Sequence, residues 1–136
     1  MLQEIPRTHA EPHNPRITPE EAQAAARAVV NLFARWELTD EEACEILGGL
    51  SLRTYARWKK GGVGRIDRDL ATRLSLLLGI HKGLRYLYRD VEQAYRWVRK
   101  PNAVFAGQRA LDVMLGGSIF ALQRVRAYLD AERGGW

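Results

Sequence analysis

The sequence of 136 residues has one cysteine, Cys44, and three histidines. A single thiol cannot form an internal disulfide, which is typical of proteins that work in the reducing cytoplasm. No spacing of His, Cys and Asp resembles a metal site, and neither a P-loop nor a Gly-x-Gly-x-x-Gly motif occurs. The neighbouring carboxylates Glu41 and Glu42 would point in different directions on a helix, which is poor geometry for acid–base catalysis. We therefore expect no catalytic residue, no cofactor and no metal.

Long apolar runs are missing as well. No stretch approaches the roughly 20 apolar residues that a membrane span requires. The first residues, 1–6, lack the basic start and apolar segment of a secretory signal. Hydrophobic residues make up 46% of the chain and charged residues 27%, the balance of a folded soluble domain. This excludes a membrane protein and a wholly disordered chain, and we expect a cytoplasmic location.

Strand signals are absent, whereas helix signals are frequent. No segment alternates β-branched and polar residues with a period of two. Residues 18–21 and 39–42 each form a capping box, Thr-x-x-Glu, at the start of an apolar stripe. Gly79 is expected to interrupt a leucine-rich helix that Asp67 opens. The sequence thus predicts an all-α protein, with helices over about 19–36, 40–47, 52–60, 67–78, 80–88, 90–100, 109–115 and 118–132.

The first 17 residues differ from the rest of the chain. Residues 1–17 hold three prolines and two histidines and have no hydrophobic periodicity. Such a composition is typical of a terminal segment outside a packed core. We interpret residues 1–17 as a flexible leader.

The charge is unevenly distributed along the chain. The formal net charge is +5 and the isoelectric point is near 9.7, which directs attention to anionic partners. Residues 18–52 carry two basic and seven acidic side chains, a net charge of −5, whereas residues 53–73 carry seven basic and two acidic ones, a net charge of +5. Helix dipoles favour many of the acidic residues where they stand. The basic stretch is either a solvated face or a surface for a polyanion.

The segment from Thr39 to Gly61 has the parts of a helix-turn-helix: a short helix, a glycine turn and a second short helix. Tyr55 and Trp58 lie three residues apart and would pack inward together. The opposite side of the second helix would then enter the DNA major groove, with Arg53 and Arg57 as the base readers. Further contacts with bases or phosphates are expected from the remaining polar or exposed positions of the motif: Ser51, Leu52, Lys59, Lys60, Arg65 and Arg68.

Two points qualify this interpretation. An αα-hairpin inside an ordinary helical bundle would also need capped helices and glycine turns. The pair Gly48-Gly49 makes the turn about one residue longer than the usual motif, which could shift the base readers by one position.

Aromatic residues are concentrated in the C-terminal half, around Trp97 and Phe105, and at the chain end. At helical spacing such residues usually belong to a core. The end, residues 133–136 with Arg133 and Trp136, instead places an indole after two glycines. It is either a frayed terminus or an anchor for a partner's pocket, since tryptophan is enriched at binding hot spots.

Residues 94–115 resemble the signature of the Xre/MbcA/ParS antitoxins, in which a Trp-containing turn leads into Pro-Asn, a glycine loop and a short helix. The positions that match are Trp97, Pro101, Asn102, Gly107 and Leu111. Ala106 and Ala110 depart, because a second glycine and a proline are common there in the family. Residues 20–80 also resemble the family's helix-turn-helix, including the Gly-Gly turn and the Tyr-x-x-Trp-Lys run.

The resemblance implies an antitoxin with two activities. Its helix-turn-helix, residues 18–79, would bind the promoter of its own operon, and its C-terminal part, residues 80–136, would bind a RES-domain toxin from the same operon. Such toxins are relatives of ADP-ribosyltransferases and either degrade NAD or transfer ADP-ribose. The implied toxin contacts are the signature loop and the tail: Trp97, Pro101, Asn102, Phe105, Gly107, Arg133 and Trp136.

Other readings of the same residues stay open. A plain helix-turn-helix regulator could use its C-terminal half for dimerisation only, and a helical scaffold would need no nucleic acid. Two-fold symmetric operators make a homodimer the expected form of a DNA-binding protein of this kind.

Overall fold

The computed structural model describes residues 17–134, and this part of the chain holds seven α-helices and no β-strand. An isolated bridge between Pro101 and Arg109 closes one loop. The all-α prediction is confirmed. The helices are α1 (Pro19–Arg35), α2 (Asp40–Ile46), α3 (Leu52–Lys59), α4 (Arg68–Leu87), α5 (Val91–Arg96), α6 (Ala110–Met114) and α7 (Ile119–Glu132), with single 3₁₀ turns at Trp97–Arg99 and Ala103–Phe105. The predicted leader lies almost wholly outside the described residues.

Six of the seven helices begin at a side chain that accepts a hydrogen bond from the first turn. This cap satisfies a backbone N–H group that the helix itself leaves free. The two capping boxes predicted at Thr18 and Thr39 are both formed. The other four capping side chains are those of Ser51, Asp67, Asp90 and Ser118.

The predicted break at Gly79 is wrong, because α4 is one helix of 20 residues. A Cβ atom at Gly79 would lie 2.6 Å from the Arg126 guanidinium, and one at Gly83 would lie 3.3 Å from Leu129 Cβ. Both glycines face α7, so their missing side chains allow the two helices to approach closely. The cost of glycine inside a helix is about 1 kcal/mol per residue, which packing against α7 offsets.

A single hydrophobic core runs through the whole described part of the chain. The central helix α4 packs against α1 and α7, and it buries Leu74, Leu77, Ile80 and Leu84. The predicted boundary between residues 79 and 80 therefore falls within a continuous helix that contributes to the shared core.

Arg73 is the buried charged residue of the described chain, with 8% of its surface exposed. Its Nη1 donates to the carbonyl of Ile46, at the end of α2 (3.1 Å), and to that of Gly117, before α7 (2.8 Å). Its Nε donates to Asp69 at 2.9 Å. A buried guanidinium must have such partners, since an unpaired charge in the interior is very costly. Arg73 thus joins the helix-turn-helix to the turn that precedes the last helix.

A second arginine, Arg99, makes a similar connection to the end of α1. Arg99 Nε donates to the carbonyl of Trp36 at 2.9 Å, and its Nη2 donates to that of Glu37 at 2.7 Å. These carbonyls lie at the end of α1, where Glu37 takes a left-handed backbone conformation with φ of 60°. Because the last carbonyls of a helix lack partners within it, a cation placed there is favourable.

Within residues 17–134, every helix is too short or too polar to cross a lipid bilayer.

We predict that Arg73→Met, which keeps an unbranched apolar side chain but removes the guanidinium donors, lowers the free energy of unfolding by about 1–3 kcal/mol. The Ile46 and Gly117 carbonyls would lose their donor, and an unsatisfied buried acceptor costs about that much. The measurement is urea unfolding followed by circular dichroism.

Lys59→Met is the matched control, because it removes an ion pair that is about half exposed, with Asp40 at 2.8 Å. Such a pair contributes roughly 0–1 kcal/mol. Equal losses in the two variants would contradict the role given to Arg73.

Candidate functional site

The turn between α2 and α3 depends on two consecutive glycines. Gly48 and Gly49 have φ values of 84° and 90°, a left-handed conformation that side chains rarely adopt. The N–H of Gly49 donates to the carbonyl of Cys44 at 2.9 Å, which closes the end of α2. A Cβ atom at Gly48 would also lie 2.7 Å from Arg73 Nε. The extra glycine of the turn thus makes room for the buried guanidinium.

Helix α3 packs with Tyr55 and Trp58 inward, each 3% exposed, as the sequence predicted. Burial raises the pKa of the Tyr55 hydroxyl to about 12, so the phenol stays neutral at physiological pH. The opposite face of α3 is open to solvent and carries Arg53 and Arg57. Leu52, at the first position of the helix, is 51% exposed. The outward side of α3 is therefore basic, with one apolar side chain at its start.

The other predicted DNA contacts lie around this face and differ in their partners. Ser51 caps α3 by accepting from the Thr54 N–H at 3.1 Å, so its hydroxyl already positions the helix. Lys59 Nζ lies 2.8 Å from both carboxylate oxygens of Asp40, which braces α3 against α2. Lys60, Arg65 and Arg68 are exposed at the end of α3, in the following loop and at the start of α4. No ion pair within the described chain involves these three residues.

The signature loop is built on three aromatic rings that contact one another. Trp97 is 9% exposed and Phe105 is 1% exposed. The Trp97 ring lies parallel to that of Tyr128 from α7, with centroids 6.1 Å apart, and Phe105 meets Tyr128 edge-on at 5.8 Å. Trp97 and Phe105 therefore lie in the core, where they hold the loop in place and present almost no surface to a partner.

The exposed part of the loop is formed by its backbone and its smaller residues. The Asn102 side chain accepts from the Val104 N–H at 3.0 Å, and the Asn102 carbonyl accepts from the Gly107 N–H at 3.0 Å. Pro101 and Gly107 are exposed, and Asn102 is half-buried. Asn102 thus shapes the loop, while Pro101 and Gly107 lie on its surface.

At the chain end, the Arg133 guanidinium lies 4.9 Å from the centroid of the Tyr86 ring. This cation–π contact holds the last described turn against the end of α4. Trp136 lies outside the described residues.

The titratable groups of the interior give no sign of a reactive site. Cys44 is 7% exposed, and burial raises the pKa of its thiol, which disfavours the reactive thiolate. Burial also disfavours the charged form of His81 and so lowers the pKa of its imidazole. The His81 ring stacks on Tyr95, with centroids 6.0 Å apart. In residues 17–134, no three His, Cys, Asp or Glu side chains converge as metal ligands would.

Comparison with known proteins separates the same two parts of the chain. A family described as "Antitoxin Xre-like helix-turn-helix domain" matches residues 15–79, and one described as "Antitoxin Xre/MbcA/ParS C-terminal toxin-binding domain" matches residues 83–135. The chain belongs to the Xre/MbcA/ParS antitoxin family. It is also similar to a protein of Sinorhizobium fredii, "Uncharacterized protein y4oB", with 42% identity over 112 residues, which cover 82% of this chain and 86% of the relative.

Three exposed residues in the C-terminal part of the antitoxin, Val104, Phe120 and Arg124, were not assigned a role from the sequence. Arg124 Nη2 donates to the Val104 carbonyl at 3.5 Å, and its guanidinium lies 5.2 Å from the centroid of the Phe105 ring. Phe120 is 78% exposed. A signal existed, because the buried positions 122, 125 and 129 of α7 place 120 and 124 on the opposite face.

The antitoxin's departure from the family pattern at Ala106 has a structural consequence. Ala106 adopts a left-handed conformation, with φ of 58° and ψ of 36°, where the family commonly has glycine. Its other departure, Ala110, begins α6, where Asp112 accepts from the Arg109 N–H at 3.0 Å. The signature loop keeps its closing hydrogen bonds in spite of both changes, at the expense of strain at Ala106.

We predict that Ala106→Gly raises the free energy of unfolding by about 0.5–1 kcal/mol. A left-handed alanine costs roughly 1–2 kcal/mol, and the added chain entropy of glycine cancels about half of the gain. Thermal and urea unfolding of the two proteins give the difference.

Ala103→Gly serves as the comparison, because Ala103 lies in a 3₁₀ turn of the same loop and has no positive φ. It should destabilise by about 0.5–1 kcal/mol. If both glycine variants lose stability, the left-handed conformation at Ala106 is refuted.

Proposed function

We propose that this antitoxin neutralises a RES-domain toxin encoded in the same operon and represses that operon as a homodimer in the cytoplasm. The family supports binding of a toxin and of DNA, and the resemblance of the signature loop points to a toxin that degrades NAD or transfers ADP-ribose. The observation that carries the DNA-binding half is the outward basic face of α3, behind which Tyr55 and Trp58 are buried.

The distribution of charge supports one set of basic residues for contacts with bases and another for contacts with phosphates. Arg53 and Arg57 lie on the exposed side of α3, the element that enters the major groove in this motif. Lys60, Arg65 and Arg68 flank that face without intramolecular ion pairs among the described residues, so phosphates can take them as partners. Lys59 would have to exchange Asp40 for a phosphate, which an exposed ion pair permits.

We predict that Arg53→Ala and Arg57→Ala each weaken binding to the operon's promoter at fixed salt. An arginine that reads a guanine contributes on the order of 1–3 kcal/mol, which corresponds to roughly a 5- to 150-fold change in affinity. Fluorescence anisotropy with the promoter duplex measures this change.

The matched control is Arg89→Ala, which removes the same charge just beyond the other end of α4, about 30 Å from Arg68 along the helix. It should leave promoter affinity nearly unchanged. Unaltered affinity in both the Arg53 and Arg57 variants would reject them as DNA contacts.

We predict that the Arg53→Ala/Arg57→Ala double variant still rescues cells that express the toxin. Both side chains lie on the exposed face of α3, outside the matched toxin-binding region, so their loss should spare neutralisation. The test is growth after toxin induction, with antitoxin levels compared on a blot. Loss of rescue by a variant of normal abundance would show that promoter binding and neutralisation share these arginines.

Neutralisation would proceed by occlusion of the toxin's NAD cleft, and the antitoxin offers two elements for it. One is the tail, residues 133–136, in which two glycines precede Trp136. The other is the signature loop, where Pro101 and Gly107 lie on the surface and Asn102 shapes the backbone. Trp97 and Phe105 contribute by supporting that loop from the core.

We predict that deletion of residues 133–136 weakens inhibition of the toxin's NAD-consuming activity by roughly 10- to 150-fold. Burial of a large apolar side chain contributes on the order of 1.5–3 kcal/mol. The measurement is a titration of full-length and truncated antitoxin against the toxin at fixed NAD. Unchanged potency would assign occlusion to the signature loop and the body of the domain.

A plain regulator whose C-terminal half only dimerises is the alternative. Co-purification of the chain with the RES-domain protein encoded next to it would argue against this alternative, and its failure would favour it.

A further inference from the structure

Few large hydrophobic side chains remain exposed in the toxin-binding half of the described chain. They are Tyr86, Val104 and Phe120, with exposures of 69%, 45% and 78%. Single exposed apolar residues are common on proteins and need no explanation. Their surroundings therefore decide which of them form a binding surface.

Tyr86 lies apart from the other two. The Arg133 guanidinium lies over one face of its ring, 4.9 Å from the centroid. Arg133 follows the end of α7, whereas Phe120 is in the first turn of that helix, so about 20 Å of helix separates the two ends. Tyr86 is therefore an intramolecular partner of the chain end.

One arginine, Arg124, connects the helix that carries Phe120 to the loop that carries Val104. Phe120 and Arg124 are four residues apart on α7 and share its outward face. Arg124 in turn reaches the Val104 carbonyl across the signature loop. These three exposed residues, Val104, Phe120 and Arg124, are linked through the Arg124 guanidinium, and we call them the Phe120 surface.

The charge of this surface is not neutralised from within. Neighbouring arginines have carboxylates: Arg109 pairs with Asp112 at 2.7 Å, and Arg126 lies 3.6 Å from Asp130. Among the described residues, no carboxylate pairs with Arg124, which has only the Val104 carbonyl at 3.5 Å and the face of the Phe105 ring. A partner that covers the patch would have to supply a carboxylate, because a buried unpaired guanidinium is costly.

We propose that the Phe120 surface is the main anchor of the toxin, which contributes an apolar pocket for the phenyl ring with a carboxylate at its edge for Arg124. This inference rests on the proposed function. Aromatic side chains and arginine are enriched in the cores of protein interfaces, where a few such residues supply most of the affinity. The patch also lies within the matched toxin-binding region, at the opposite end of α7 from the tail. A toxin that contacts both elements would bind the antitoxin through the Phe120 surface, while the tail would occlude the NAD cleft of that toxin.

The experiment measures the affinity of full-length antitoxin variants for the RES-domain toxin of the same operon by calorimetry. Phe120→Asp should weaken binding by about 30-fold or more, the level of an interface hot spot, whereas Phe120→Leu, which keeps an apolar side chain, should remain within about 5-fold. Arg124→Gln should weaken binding and also reduce its dependence on ionic strength, since one ion pair is lost. A role limited to shaping the loop would not change that dependence.

The control is Arg27→Gln, which removes an exposed charge from α1 and should change neither affinity nor salt dependence. Promoter binding by Phe120→Asp should stay normal, which shows that the variant is folded. If the parent chain binds the toxin and Phe120→Asp binds equally well, the anchor is wrong and the proposed function survives. If the parent chain does not bind the toxin, both fail. A monomer produced from a dimer by Phe120→Asp without loss of toxin affinity would instead make this surface a contact between two copies of the chain.

Discussion

The buried guanidinium of Arg73 joins three separate parts of this structure. Its hydrogen bonds hold the end of α2 and the turn before α7 to the central helix, so two segments more than 60 residues apart in sequence meet at one side chain. The space it occupies is available only because Gly48 has no side chain. The long glycine turn of the helix-turn-helix and the buried charge therefore depend on each other. A low-dielectric interior makes this arrangement strict, because a guanidinium without its carbonyl partners would be unstable there.

The two matched regions of the antitoxin consequently form one body. Arg99 adds a second connection, to the end of α1, and one core cluster includes residues from Ala26 to Leu129. Anything that binds the folded chain stabilises all of it, since a ligand of the native state shifts the unfolding equilibrium as a whole. DNA and toxin would thus each protect the region that binds the other. Helix α3, which carries the exposed basic face, packs on α1 and α2, and α7, which carries Phe120 and Arg124, packs directly on α4. Because α1 also packs on α4, the central helix connects the two surfaces.

Predictions from the sequence succeeded where the determinants are local. The caps at Thr18 and Thr39, the inward pair Tyr55 and Trp58, and the ends of α7 follow from neighbours within one or two helical turns. The break at Gly79 failed because a glycine that ends a helix and one that admits a neighbouring helix look alike in sequence. Only the position of Arg126 against Gly79 distinguishes the two. The contacts of Tyr128 with Trp97 and Phe105 were not predicted either. They join residues more than 20 positions apart, and helical periodicity relates only residues within a few turns of one helix.

The sequence by itself determined the helical class, the helix starts, the glycine turn, the basic outward face of α3 and the family, because each is written in residue types at short spacing. The tertiary structure decided which signature residues are surface and which are support. It placed Trp97 and Phe105 inside, left Pro101 and Gly107 outside, and brought Arg124 of α7 to the Val104 carbonyl in the signature loop. The physical reason is that burial and the partner of a charge depend on which helices meet. In this chain, Gly79 and Gly83 allow α7 to pack closely against α4. Arg73 and Arg99 fix the remaining arrangement by donating to backbone carbonyls that are distant in sequence.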